Sequence, residues 1–231
     1  MTLDLSSIEP RRRCHTLGRR HAELEVDDHL DVMVADDWSE DEWHHAVDGA
    51  GFGVLDRDGR TWRLERRRTL PDAISTDLRV LCVGLNPSLT AADLGHGFAS
   101  PSNRFWPAAL DAGLVKTPKA PWTSIEHDRV GFTDLVKRAT RAASELRAAE
   151  FREGRRRLEW TTGLHEPRVV CVMGITGWRR IATGEVAGNG WQDEQLGGRP
   201  VYVMPNPSGL NAHTSRADLA AHLTEVLRAA D

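Results

Sequence analysis

Three short runs, 79–84, 168–173 and 200–204, are almost continuously apolar and rich in β-branched residues. That is the pattern of strands covered on both faces. Around and after them, apolar positions recur at helical spacing at 104–112, 144–161, 177–183 and 216–229. Strands alternating with helices predict an α/β fold, here a three-layer α/β/α sandwich around a short, mostly parallel central sheet. Ligands of such sheets bind beyond the carboxyl ends of the strands, so the segments after Gly84 and after Met204 should open on one crevice.

The first 65 residues follow another pattern. His29 to Ala35 has strand character, and Ser39 with Glu42 forms a capping box that opens a short helix through Trp43, Ala46 and Val47 to Gly49. Phe52 to Leu55 and Thr61 to Leu64 then flank a turn with Gly59 where a positive φ is often needed, which predicts a hairpin. The expected organisation is a small N-terminal α+β module of unassigned role at 1–65, and a larger domain at 66–231.

Composition narrows the class. With 231 residues, 40% hydrophobic and 28% charged, the chain suits a folded protein, and no apolar run approaches the roughly 18 residues a membrane-spanning helix requires. The first twenty residues carry charges throughout and read as no secretory signal, so a cytoplasmic, nucleoid-associated protein is expected. Cys14, Cys82 and Cys171 lie too far apart in sequence to assemble a metal or cluster motif, and Cys82 and Cys171 sit in apolar runs as buried structural thiols would. No metal and no cofactor is expected. The net charge of −4 conceals a division: His21 to Asp58 holds thirteen acidic residues against Arg57 alone, whereas Gly59 to Asp231 carries +5. A mildly basic C-terminal part suits a nucleic-acid partner, and the acidic stretch should stand away from DNA.

The two loops predicted to share a crevice are unusual. One reads Gly84-Leu85-Asn86-Pro87-Ser88 and continues through Gly95, His96, Gly97 and Phe98 to Asn103; the other reads Asn206-Pro207-Ser208-Gly209-Leu210-Asn211. Each sets a polar amide close behind a buried strand, prolines that stiffen the backbone, and small residues that admit a close approach. Taken singly, either loop also reads as an ordinary β-to-α turn.

Taken together, and with Leu70-Pro71-Asp72, the segment 103–106, the run 131–136 and the segment 151–154, the loops resemble the mismatch-specific uracil-DNA glycosylase and thymine-DNA glycosylase family of the uracil-DNA glycosylase superfamily. The resemblance implies a monofunctional enzyme that hydrolyses the N-glycosidic bond of a base flipped out of mismatched double-stranded DNA, in base excision repair. It implies a monomer acting on U·G or T·G pairs. It places Asn86 as the catalytic residue that holds the attacking water, with Leu85, Pro87, Ser88, Phe98 and Asp134 around the substrate. Phe98 would stack on the base, and Asp134 would contact the pocket edge as it does in some relatives. Asn206, Pro207, Ser208, Gly209, Leu210 and Asn211 would meet the DNA, with Leu210 filling the gap left by the flipped nucleotide.

This reading fits the chemistry, because bond cleavage leaves positive charge on the sugar and negative charge on the departing base. It calls for a placed water and donors to the base. An amide orients a water but is a poor general base, and no Asp follows Gly84 at the spacing of relatives that carry an acid in this loop. Two departures stand out: Ser88 where many relatives have Gly, and Ala212 where some have Arg. Other readings stay open: Phe98 and Leu210 as core residues, Asp134 as a structural residue, Asn103 as a helix cap, a same-fold glycosylase for deaminated purines, and a non-catalytic DNA-binding relative.

Overall fold

The computed structural model describes residues 2–186 and 188–231. The N-terminal part runs β1 (Thr2–Asp4), α1 (Pro10–Glu23), β2 (His29–Met33), α2 (Glu40–Gly49), β3 (Phe52–Asp58) and β4 (Thr61–Arg66). Its four strands form one sheet in the order β1-β2-β4-β3. The expected capping box is present, with Glu42 N–H donating to Ser39 Oγ and Ser39 N–H to the Glu42 carboxylate. Glu40, Asp41 and Glu42 in the first turn suit the positive end of the α2 dipole. Trp43, Ala46 and Val47, spaced three and four apart, bury one face. The hairpin turns at Gly59, whose φ is 55°.

The second part runs β5 (Val80–Gly84), α3 (Leu89–Leu94), α4 (Phe105–Asp111), α5 (Pro121–Asp128), β6 (Val130–Asp134), α6 (Ala148–His165), β7 (Val169–Met173), α7 (Ile175–Arg179), β8 (Gly190–Trp191), β9 (Val201–Met204) and α8 (Arg216–Ala229). The sheet has the order β6-β5-β7-β9-β8, parallel except for the edge strand β8. Its side chains alternate between two cores. Leu81, Val83, Val170, Val172, Val201 and Val203 join one, with Phe151, Leu158 and Trp178 from α6 and α7. Val80, Cys82, Cys171, Tyr202 and Met204 join the other, with Phe105, Trp106, Leu219 and Leu223 from α4 and α8. Both faces are therefore covered, which explains the continuous apolar runs and gives the expected α/β/α layers. All three cysteines are buried free thiols, and burial pushes each thiol well above its ordinary range.

Several boundaries differ from expectation. The helix expected at 144–161 runs from Ala148 to His165, after a separate 3₁₀ turn at Ala143–Glu145. Two glutamates split it: Glu145 accepts from Ala142 N–H, and Glu150 accepts from Arg147 N–H. It continues to His165 because Thr161, Thr162 and His165 are buried, and Glu166 in the left-handed region ends it before Pro167. The helix expected at 177–183 begins earlier, at Ile175, and ends at Arg179.

The N-terminal part shares its apolar core with the central sheet. Leu17, Leu30, Trp43, Val47, Phe52 and Leu64 belong to the same cluster as Ile74, Leu78, Leu81, Leu135 and Leu158. Polar contacts follow the same seam: Asp72 N–H donates to Gly49 O (2.8 Å) and Arg67 N–H to Gly51 O (3.0 Å). Beneath it lies a buried ion cluster, with Asp72 held by Lys137 Nζ (2.7 Å), Arg157 Nη1 (3.0 Å) and Thr133 Oγ1 (2.6 Å). Burial alone would push the Asp72 carboxyl up, but Lys137 and Arg157 reverse this and hold it below its usual range. Removing one member of such a set typically costs about 3–5 kcal/mol, because the others are left buried and unpaired.

Candidate active site

The strands β5, β7 and β9 deliver their carboxyl ends to one cavity of about 240 Å³. Its wall combines Gly84, Leu85, Asn86, Pro87 and Ser88 with Gly97, Phe98 and Asn103, Asp134, Met173, and Asn206 and Ser208. The two loops expected to share a crevice do share it. The cavity is smaller than the roughly 300–1,000 Å³ clefts that enclose drug-sized ligands, and it suits a single base.

The first loop is rigid because β5–β6 pairing continues beyond the strands. Leu135 N–H donates to Gly84 O (2.9 Å), Val136 N–H to Leu85 O (2.9 Å) and Thr140 N–H to Pro87 O (3.1 Å). The Asn86 side chain is fixed in turn, its Nδ2 donating to Pro87 O (3.0 Å), Arg138 O (3.0 Å) and Thr140 Oγ1 (2.8 Å). Two of these partners are carbonyls that only accept, so the amide has one orientation, and among the described residues none donates to its Oδ1. Leu85 packs into the core against α7, where a Cβ at Gly177 would lie 3.2 Å from its Cδ1, so it supports the wall. Ser88 caps α3, its Oγ accepting from Ala91 N–H (3.1 Å).

Asp134 is more central than its place in the sequence suggests. It ends β6 directly beside Gly84 in the parallel register, and a Cβ at Gly84 would lie 2.3 Å from its Oδ1. Glycine at 84 therefore makes room for the carboxylate. Among the described residues no donor reaches that carboxylate, which lines both the main cavity and a narrow slot beside it. Burial pushes its pKa up to about 6; Lys137 and Arg157 pull against that rise and Asp72 adds to it.

Phe98 lies in the wall of both cavities and also packs on Phe105, with ring centroids 4.2 Å apart and planes 30° from parallel. The ring therefore packs within the protein on one side while it borders the cavity on another. Its φ of 57° is uncommon for a bulky residue and is reached just after Gly95 and Gly97. His96 lines the slot but not the main cavity, its Nδ1 3.1 Å from Gly97 O. Asn103 lies one residue before Arg104, the N-cap of α4, so it is not the expected cap; its Oδ1 accepts from Phe105 N–H (2.9 Å) in a local turn that leads into the helix.

The second loop is an arch. Asn206 and Ser208 line the cavity, and Asn206 Oδ1 accepts from Ser208 N–H (2.9 Å). Pro207 is buried and its carbonyl accepts from Arg104 N–H (3.0 Å). Gly209 crosses so close to the first loop's continuation that a Cβ there would lie 2.5 Å from Ser102 Cβ. Leu210 is 97% exposed, which removes the core reading, and it stands outside the cavity. Asn211 braces the arch, its Nδ2 donating to Asn206 O (2.9 Å) and Thr214 Oγ1 (3.1 Å). Arg104 lies beneath the arch, and nothing in its local sequence motif signals a role there.

Residues 71–230 match the family model of the uracil DNA glycosylase superfamily. The chain belongs to that superfamily, and this membership indicates a hydrolytic DNA glycosylase with DNA as its substrate. The chain is also similar to the solution NMR structure of a candidate uracil DNA glycosylase from Methanosarcina acetivorans. That match has 18% identity and a TM-score of 0.48, and covers 69% of this chain and 97% of that one.

Proposed function

We propose that the protein is a monofunctional glycosylase of base excision repair that releases uracil, and also thymine or ethenocytosine, from mismatched double-stranded DNA. The observation that carries the reading is one base-sized cavity holding both an amide locked with its oxygen free, at Asn86, and a carboxylate without a protein donor, at Asp134. In this reading Phe98 stacks on the flipped base and Asn86 Oδ1 accepts a hydrogen from the attacking water. The C1′–N1 bond breaks, its electron pair leaves with the base, and the water oxygen bonds to C1′. Asp134 takes the water's second proton, a role suited to a carboxyl whose pKa lies near 6. The leaving base is then protonated from solvent. No lysine lines the cavity among the described residues, in keeping with hydrolysis and without an amine nucleophile for strand cleavage.

Leu210, fully exposed on its arch, supports the preference for mismatches. A wedge meets part of the unstacking cost of a few kcal/mol, and a weak pair meets part of the rest. The test is single-turnover release from end-labelled duplexes carrying U·G, T·G, ethenocytosine·G or hypoxanthine·T, read as alkali-dependent strand breaks. U·G should react fastest. Strand breaks without alkali would reject the monofunctional assignment, and reaction on hypoxanthine alone would replace uracil with a deaminated purine.

A further inference from the structure

Arg104 stands at the start of α4, and its hydrogen bonds reach the arch on both sides of Leu210. Its backbone N–H donates to Pro207 O (3.0 Å); its Nη2 donates to Ser208 O (3.0 Å) and Asn211 O (2.5 Å), and its Nη1 to Thr214 O. Among the described residues no carboxylate pairs with this guanidinium, so three loop carbonyls are its partners, and its Nε is buried without one. A half-buried cation bonded only to carbonyls of one loop does nothing for a surface ion pair. It does fix the shape of the loop, because a planar guanidinium presents donors in a rigid fork that a lysine ammonium does not reproduce.

The neighbours of Arg104 link the arch to the base cavity. Asn103 lines that cavity, Phe105 carries the ring on which Phe98 is stacked, and Ser102 is the residue Gly209 crosses. Four consecutive residues thus join the cavity wall to the base of the arch. We propose that Arg104 is the positioning residue of the wedge: it sets the height of Leu210 above the duplex-facing surface. The inference rests on the proposed flipping of a base from duplex DNA, and assigns to Arg104 a share of the duplex-specific part of the rate. It also turns three loop carbonyls inward, away from the approaching phosphates.

The experiment compares Arg104→Met and Arg104→Lys with Leu210→Ala and with the Arg104→Met/Leu210→Ala pair. Single-turnover excision is measured from single-stranded uracil, U·G and U·A, and amide exchange is followed across 206–214 in the free protein. Arg104→Met should speed exchange in that segment about 10-fold, since it deletes several charge-assisted bonds. It should slow U·A about 10-fold and U·G less, and leave single-stranded uracil within about 2-fold. Arg104→Lys should fall between, which keeps the test open if the methionine variant folds poorly. The pair should be no slower than the worse single variant, because an unsupported wedge and an absent one are equivalent. Unchanged exchange overturns the assignment whatever Leu210 does. Equal losses on all three substrates, or additive losses in the pair, also overturn it. A flat Leu210→Ala profile instead overturns the wedge reading, and exchange then still decides whether Arg104 holds the loop.

Discussion

The two loops that meet at the cavity contain the same tripeptide, Asn86-Pro87-Ser88 and Asn206-Pro207-Ser208, yet the fold uses the copies differently. In the first, the two N–H bonds of the asparagine amide are shared among three acceptors, the proline carbonyl continues a parallel ladder, and the serine caps a helix that starts at once. In the second, the asparagine accepts from its own loop and the proline carbonyl is bound by Arg104. Among the described residues its serine hydroxyl meets only Leu210 N–H, at 3.3 Å, and the next helix waits until Arg216. Neighbours make the difference: β6 runs beside the first loop along its backbone, whereas the arch after β9 has, among the described residues, no strand beside it and is held from below by Arg104, with Leu210 left exposed. A loop that holds a water must be immobile, and a loop that probes a duplex must stand clear of the protein.

That contrast can be broken by substituting the two asparagines separately. Asn86→Ala should slow single-turnover uracil release on the order of 10³-fold while binding to abasic DNA survives, whereas Asn206→Ala should lose only a few-fold. Matching losses would show that the loops are chemically equivalent.

Asp134→Asn should cost roughly 10²-fold and change the pH profile. In the wild type the rate should rise with pH through about 6 as the carboxyl ionises, and the variant should lose this rise. Stability supplies an independent check. A carboxyl raised to about 6 in the folded state stabilises the protein below its unfolded value near 4, and that contribution is lost as pH rises through about 6. The asparagine variant should therefore be the more stable protein at pH 7.5, by about 1–2 kcal/mol, with much of the gain absent below pH 4. A less stable variant at pH 7.5, measured by urea titration, would contradict the assigned burial cost.

Leu210→Ala sharpens the other side of the comparison. The loss should be about 10-fold on U·A, a few-fold on U·G and negligible on single-stranded uracil, with an unchanged melting temperature because the side chain is exposed. Smallest of all, Ser88→Ala should lower the melting temperature by roughly 2–4 °C through loss of its cap, and Ser208→Ala by less.

Much of this was readable along the chain. The strands β5, β7 and β9 declare themselves as buried β-branched runs, and α8 starts and stops where its Ser215–Asp218 capping box and apolar spacing place it. The loop residues Asn86, Phe98 and Leu210 could be singled out because their motifs are local. Helix α1 was not legible: it buries Arg13, Gly18 and His21 along with Cys14 and Leu17, and Arg13 is accommodated by Asp37 and the ring of Trp38. Those partners lie far from it in sequence, so its apolar pattern is weak. Asp134 gains its place from a register with Gly84 fifty residues away, and Arg104 from carbonyls more than a hundred residues on. Pairings of that range are decided by topology, which spacing does not encode.

The buried cluster of Asp72, Lys137 and Arg157 also bears on how the chain acquires its fold. Arg157 reaches Asp48 at 3.3 Å as well as Asp72, so the seam beside α2 is completed by residues synthesised long after it. An emerging N-terminal part has its sheet partners at hand but lacks the apolar layer of Leu135 and Leu158 that packs with Trp43 and Val47 in the finished molecule. It should stay loose on the ribosome and lock only when α6 arrives. Unfolding should then be a single cooperative transition with the same midpoint from tryptophan fluorescence and circular dichroism.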